Sequence, residues 1–295
     1  MPLTYFKYGA DILQDILFRG GELTALTGST SQYLTRAKGY IQRVYHDIVI
    51  GAPWPWALKD PPGTLNIVAK QTGNATATQD STSVTFDDSI SPTVAGYWLE
   101  IDGKQVPYRI SSHTAGSTSL TLDATYKESS VSSGACTIYK DEYSLADDCW
   151  KIWKAWDRNN PHRIVDIIQQ GEMHEMFTSR AVSSTNTFTM ALVKEDKVRI
   201  TPWPSEDDIT IEYEYTERID DDLAFDSSSD DVPIVPLNDR HILSDAALVL
   251  LMIDKNDQRA SEIGMLVESK FQRMINTYIS VGRFRRYVKP GQSIG

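Results

Sequence analysis

Residues 53–62 read PWPWALKDPP, and the division of the chain turns on them. Upstream, apolar residues recur every three or four positions. Downstream, short Val/Ile/Thr/Tyr runs alternate with Gly/Ser/Asp turns. Gly51, Pro53 and Pro55 mark the change, because proline lacks the amide hydrogen a helix needs and its ring clashes with the preceding turn. Trp54 and Trp56 are held between those prolines. Indole faces stack on sugars and bases, so a ligand platform is one reading; the other is a rigid corner that ends the helix and directs the chain onward. Trp203 stands in the same setting in PWPSEDD. Large aromatics at such places plug joints between elements, so Trp54, Trp56 and Trp203 are assigned to joint packing.

Working back from the corner, TGSTSQYLTRAKGYIQRVYHDIVIG offers Ser/Thr caps and a stripe of Tyr33, Ala37, Tyr40/Ile41, Val44/Tyr45 and Ile48. That is the spacing of a buried helix face. Before it, DILQDILF sets Ile12, Leu13, Ile16 and Leu17 on one face, and Gly20 and Gly21 break the pattern.

Beyond the corner, STSVTF, YWLEI, VPYRISS, TSLTL and CTIYK read as five strands, and IDGKQ carries an Asp-Gly turn. A small sandwich or barrel is expected there. Further on, WKIWKAWD alternates Trp150, Ile152, Lys154 and Trp156 against Lys151, Trp153 and Ala155. KVRITPWPSEDDITIEYEY reads as a hairpin pairing Val198 and Ile200 with Ile209, Ile211, Tyr213 and Tyr215. DDVPIVPLNDRHILSDAALVLLMI leads into an apolar helix. A last helix carries Ala260, Ile263, Val267, Phe271, Met274 and Tyr278 at three-and-four spacing. The expected fold class is α+β: a helical host domain (1–62 and 141–282) with a β-hairpin layer, an inserted all-β, sandwich-like domain (63–140), and a basic C-terminal tail (283–295).

The chain has 295 residues, 41% hydrophobic and 23% charged, enough to bury a sizeable core. The longest apolar run, Ala246–Ile253, is too short to span a bilayer. The start, MPLTYFKYGADILQD, shows no secretory pattern, so cytosolic synthesis and reduced, buried Cys136 and Cys149 are expected. Charge is uneven. Between Ser205 and Asp231, twelve acids face the single base Arg218, and this stretch holds the chain's entire net charge of −11. Its acids include Glu206, Asp207, Asp208, Asp220, Asp221 and Asp222. The C-terminus is opposite: Arg283, Phe284, Arg285, Arg286, Tyr287 and Lys289 suit docking on an acidic groove. The alternatives are a solubilising end or a DNA contact. An acidic whole argues against general nucleic-acid affinity.

Motifs of catalysis are missing from the sequence. His46, His113, His162, His174 and His241 form no HxH or HExxH, and MHEMFTSR lacks the second histidine. No nucleophile elbow, phosphate loop or dinucleotide glycine pattern occurs. DDDLAFDSSSDD lacks the alternating donors and glycine of a calcium loop, which leaves a solvated loop, a divalent-cation site, or a negative lumen that repels phosphate. No catalytic residue, metal or cofactor is assigned.

Taken in order, these pieces resemble a known family. A capped first helix runs into a Tyr-bearing helix and a Trp-rich stop. Then come AGYWLEIDGKQVPYRISS…TSLTL, YSLADDCWKI, RITPWPSEDDITIEYEY, DVPIVPLNDRHIL and two closing helices. The order is similar to that of the head-to-tail adaptor (connector) proteins of tailed bacteriophages, in the version with an inserted immunoglobulin-like domain. Where the family carries Leu-Pro before an acidic residue, this chain has Leu145-Ala146-Asp147-Asp148. The resemblance implies a homo-oligomeric ring of about a dozen subunits in the virion neck, assembled in the host cytoplasm. Its partners would be the portal protein and a downstream tail or nozzle protein, with no membrane contact. The helices and residues 283–289 would face the portal, the acidic region would face the channel or tail, and DNA would pass without being read. The alternative function is a carbohydrate- or receptor-binding tail protein that uses the β-domain.

Overall fold

A computed structural model describes residues 6–21, 32–160, 164–168, 187–194, 196–201, 209–219, 223, 225 and 232–280. The chain divides into two compact units, Met1–Asp60 with Tyr215–Gly295, and Pro61–Glu214. The expectation of a helical host domain is overturned. Among the described residues, thirteen strands stand against four α-helices, and residues expected to belong to the host supply most of a seven-stranded sheet. Helical periodicity is strong at both ends of the chain, whereas residues 141–217 read only as a thin layer, because pairings between strands distant in sequence leave no local pattern.

The first unit is helical. Its helices are α1 (Gly9–Arg19), α2 (Gln32–Gly51), α3 (His241–Asp254) and α4 (Ala260–Met274), the last continued by a π-helical turn at Ile275–Ser280. Ile12, Leu13, Ile16 and Leu17 of α1 are buried. So are Ala37, Ile41, Val44, Tyr45 and Ile48 of α2, the stripe that three-and-four spacing selects. Tyr33, included in that stripe, is 38% exposed. Helix α3 is apolar on most of its circumference and buries Ile242, Leu243, Ala247, Leu248, Leu251 and Met252, so it is the central helix of this core.

The second unit holds two β-structures. Strands β2 (Gln71–Ala77), β3 (Ser83–Ile90), β4 (Trp98–Ile101), β5 (Tyr108–His113), β6 (Ser117–Leu122) and β7 (Val131–Tyr139) close into a barrel in the order β2-β3-β6-β5-β4-β7. Of the two forms expected, sandwich and barrel, the chain takes the barrel: β2 and β7 pair from Gln71↔Ile138 onward, so it keeps no free edge. Every second residue points inward, as Val84, Phe86, Leu120 and Leu122 show. Glycine is needed at several positions, and two of them show why. Gly103, at φ 76, makes the β4–β5 turn, where the Lys104 amide donates to the Ile101 carbonyl. At Gly73 a Cβ would come within 2.5 Å of the Phe86 ring.

The other sheet runs β1-β13-β9-β10-β11-β12-β8, with β1 (Gly63–Ile67), β8 (Glu142–Ser144), β9 (Cys149–Asp157), β10 (Ile164–Ile168), β11 (Thr187–Lys194), β12 (Lys197–Thr201) and β13 (Ile209–Glu217). It bends until its edge strands β1 and β8 approach, and the Val68 amide donates to the Tyr143 hydroxyl there. The expected β12–β13 hairpin does not form. β12 pairs with β11 and β8, and β13 pairs with β1; three strands separate them. Of the inward residues that alternation selects, Val198, Ile200, Ile211, Tyr213 and Tyr215 are buried, whereas Ile209 is only half-buried. Two-residue alternation fixes which face a side chain takes, but says nothing about the neighbouring strand.

Candidate functional site: the aromatic corner, the buried ion cluster and the outer face of α4

Helix α2 ends at Gly51, and the chain turns at once so that the Trp54 amide donates to the Ala52 carbonyl at 2.8 Å. Trp54 is fully buried, and its indole Nε1 donates back to the Ile48 carbonyl in the last turn of α2 at 2.6 Å. Trp56 stacks on it, with centroids 5.6 Å apart and planes at 14°. Phe271 and Tyr278 meet the same ring edge-on at 5.7 and 6.4 Å. Four aromatics thus tie the end of α2 to α4 and its π-helical turn.

Tyr278 also donates to Asp239 at 2.6 Å. Burial, together with this bond and the charge of Asp239, pushes its hydroxyl from 10.0 up to about 12. A raised phenol contributes stability that is complete below pH 10 and lost as pH rises toward 12. Denaturant unfolding of wild type and Tyr278→Phe, compared at pH 9 and pH 11.5, should show wild type losing its advantage over the variant at the higher pH. An advantage that does not change with pH would refute the assignment.

A second constellation joins α1, α3 and α4. Arg19 Nη1 donates to Asp245 at 2.7 Å and to Asp15 at 3.1 Å; Lys270 donates to the other oxygen of Asp245, and Ser244 donates to Asp15. Burial alone would raise the Asp245 carboxyl, but the hydrogen bonds and charges of Lys270 and Arg19 outweigh it and hold the carboxyl below its ordinary value. Next to it, buried Arg240 donates to the carbonyls of Val235, Lys7 and Phe6. Sequence reading missed this cluster because Asp15 and Ser244 are separated by 229 positions, and Arg19 and Asp245 by 226. The available signal was Asp245 itself, an acid within an apolar helix, since a buried charge requires a partner.

The third feature is exposure. Only Met274 is buried among the fifteen residues of α4. Its inner stripe of Ile263, Val267 and Phe271 packs on the core. Its outer side leaves Met265 70% and Leu266 49% exposed.

The remaining candidates are dispersed. Trp203, Glu206, Asp207, Asp208, Asp220, Asp221, Asp222 and the tail residues Arg283, Phe284, Arg285, Arg286, Tyr287 and Lys289 lie outside the described residues. Trp98, the tryptophan of the 63–140 block, is half-buried and donates to Asp141 at 2.9 Å. Asp141, in turn, pairs with Arg199 at 2.9 Å. His113 pegs the barrel, accepting from the Val94 amide and lying 3.1 Å from the Ser117 carbonyl. Cys136 and Cys149 are buried free thiols, and burial pushes Cys136 up to about 12. His162 and His174 lie outside the described residues. Among the described residues, no group of three or more His, Cys, Asp or Glu side chains is placed to hold a metal ion. Among them, too, no helix is long and apolar enough to cross a membrane. No protein-family model matches the chain, and no curated protein matches it.

Proposed function

We propose that this chain is a structural virion protein, a ring-forming head-to-tail adaptor that joins a capsid portal to the tail and forms part of the channel through which the genome leaves. The observation that carries the proposal is the exposure of α4. A fifteen-residue helix is marginal in water by itself and owes its stability to packing, yet this one buries a single residue fully and turns Met265 outward. Such a surface suits a subunit whose remaining contacts come from neighbouring copies. The order of sequence pieces supports the same reading. Helices α2, α3 and α4 pack between adjacent subunits, and residues 283–289 insert into the portal. The acidic stretch 205–231 lies toward the channel or next tail component, where negative charge keeps phosphate from sticking. The protein acts by shape and association, without making or breaking bonds.

Electron microscopy of the purified protein mixed with the portal of its own virion tests this directly: rings seated on the portal are the expected result. Deleting Arg283–Gly295 should abolish joining while far-UV circular dichroism stays unchanged. Full joining by the deletion variant would refute the role of the tail. Failure of the whole chain to bind the portal would refute the adaptor.

A further inference from the structure

Two faces of the helical unit match one another in charge and shape. On α4, rotation of about 100° per residue turns Met265 away from the Ile263, Val267 and Phe271 stripe and sets Glu262 and Glu268 about 60° to either side of it. All three are exposed. Among the described residues, Glu262 has no ion pair and Glu268 accepts only from Gln272 of its own helix, at 2.9 Å. The result is an apolar knob between two carboxylates.

On α2, Arg36, Gly39 and Arg43 lie together on one side of the helix, outside the buried stripe of Ala37, Ile41, Val44 and Ile48, and all three are exposed. A Cβ built on Gly39 would meet nothing within 4 Å, so the position is an open notch. Arg36 lends one nitrogen to Asp254, and Arg43 approaches Asp47 only to 3.8 Å. A guanidinium has five donors, so both keep capacity for another carboxylate. This is a notch between two cations.

We infer that the Glu262–Met265–Glu268 face of α4 docks on the Arg36–Gly39–Arg43 face of α2 of a second copy of this chain. This rests on the ring-former reading and gives it a polarity. The knob stands on α4 and the notch on α2, and α3 packs against both helices, so the contact joins two different surfaces. The contact is therefore heterologous: each copy offers a knob to one neighbour and a notch to the other, the arrangement that closes rings or runs into filaments. A residue without a side chain lets the backbones approach, so the thioether can fill the notch. The four charges set the register and repel the wrong pairings of like face on like face.

The full chain tests this by cysteine cross-linking, since its two native cysteines are buried and form no disulfide. Under mild oxidation, a chain bearing both Gly39→Cys and Met265→Cys should give a ladder of covalent multimers. Either single variant alone should stay monomeric, and an equimolar mixture of the two should stop at dimers. Dimers from one single variant alone would mean that like faces meet, and the inference fails. Charge reversal provides an independent arm. Glu262→Arg/Glu268→Arg and Arg36→Glu/Arg43→Glu should each weaken self-association about a hundredfold in sedimentation, and mixing the two should restore assembly. Wild type that assembles while neither arm responds overturns this interface and leaves the ring intact. Wild type that never self-associates, even on its portal, overturns the ring reading itself.

Discussion

Replacing Trp54 with alanine should lower the stability of the helical unit by about 3–5 kcal/mol, the range for deleting a fully buried large aromatic. Three effects coincide there. The side chain is 0% exposed, so truncation opens a cavity the rigid corner cannot collapse. The Ile48 carbonyl loses the indole donor, and with it a buried hydrogen bond. Trp56, Phe271 and Tyr278 lose the ring they pack on. Trp54→Phe separates these contributions by keeping much of the packing and removing the N–H. It should fall between wild type and alanine. The measurement is the denaturant midpoint at constant slope. Met265→Ala is the control: with its residue 70% exposed, it should stay within about 0.5 kcal/mol of wild type in the free subunit. A Trp54→Ala effect as small as that of Met265→Ala would show that the corner carries no stability.

Asp245→Asn should be as damaging, also by about 3–5 kcal/mol, because removing one partner of a buried ion pair leaves the others uncompensated. The Asp245 side chain is only 5% exposed and faces both Arg19 and Lys270. Asp15 still reaches Arg19 in the variant; among the described residues Lys270 has no such second carboxylate. Pairing Asp245→Asn with Lys270→Met should therefore recover part of the loss, a coupling that a double-mutant cycle reads directly. The pH dependence has a fixed sign. A carboxyl whose folded value is depressed contributes stability that is present above its ordinary 3.8 and lost as pH falls through the lower folded value. Wild type should lose this advantage in acid, and the asparagine variant has none to lose. Equal acid sensitivity of the two would refute the role given to Asp245.

The legible parts of the chain were those whose instructions are local. The stripes of α1, α2 and α4 follow from one helical period, and the five barrel strands β3 to β7 announced themselves by alternation and turn residues. β1 and β2, with sequences GTLNI and QTGNATA, are too polar and too short of β-branched residues to stand out from loop. The hairpin error has a specific origin. PWPSEDD looks like a turn, and the strands on either side of it have the right inward residues, but β12 finds β11 and β8 instead. Partner choice in a sheet depends on the whole face being buried at once, which no window of sequence contains. The candidate surfaces divide in the same way. Trp54 could be read because proline and helix end are adjacent to it in sequence. The Asp15–Arg19–Asp245–Lys270 cluster draws on three helices and could not.

Gln71 lies opposite Ile138 in the ladder that completes the barrel, so the chain enters and leaves this structure at positions whose Cα atoms are about 5 Å apart. Two ends that meet so closely make the 71–139 segment a portable cassette. It can be lifted out and the gap bridged by a tight turn, or moved into another polypeptide at any exposed loop, without stretching the scaffold on either side. One tie such a transfer would have to give up is the hydrogen bond from Trp98 of the barrel to Asp141 outside it.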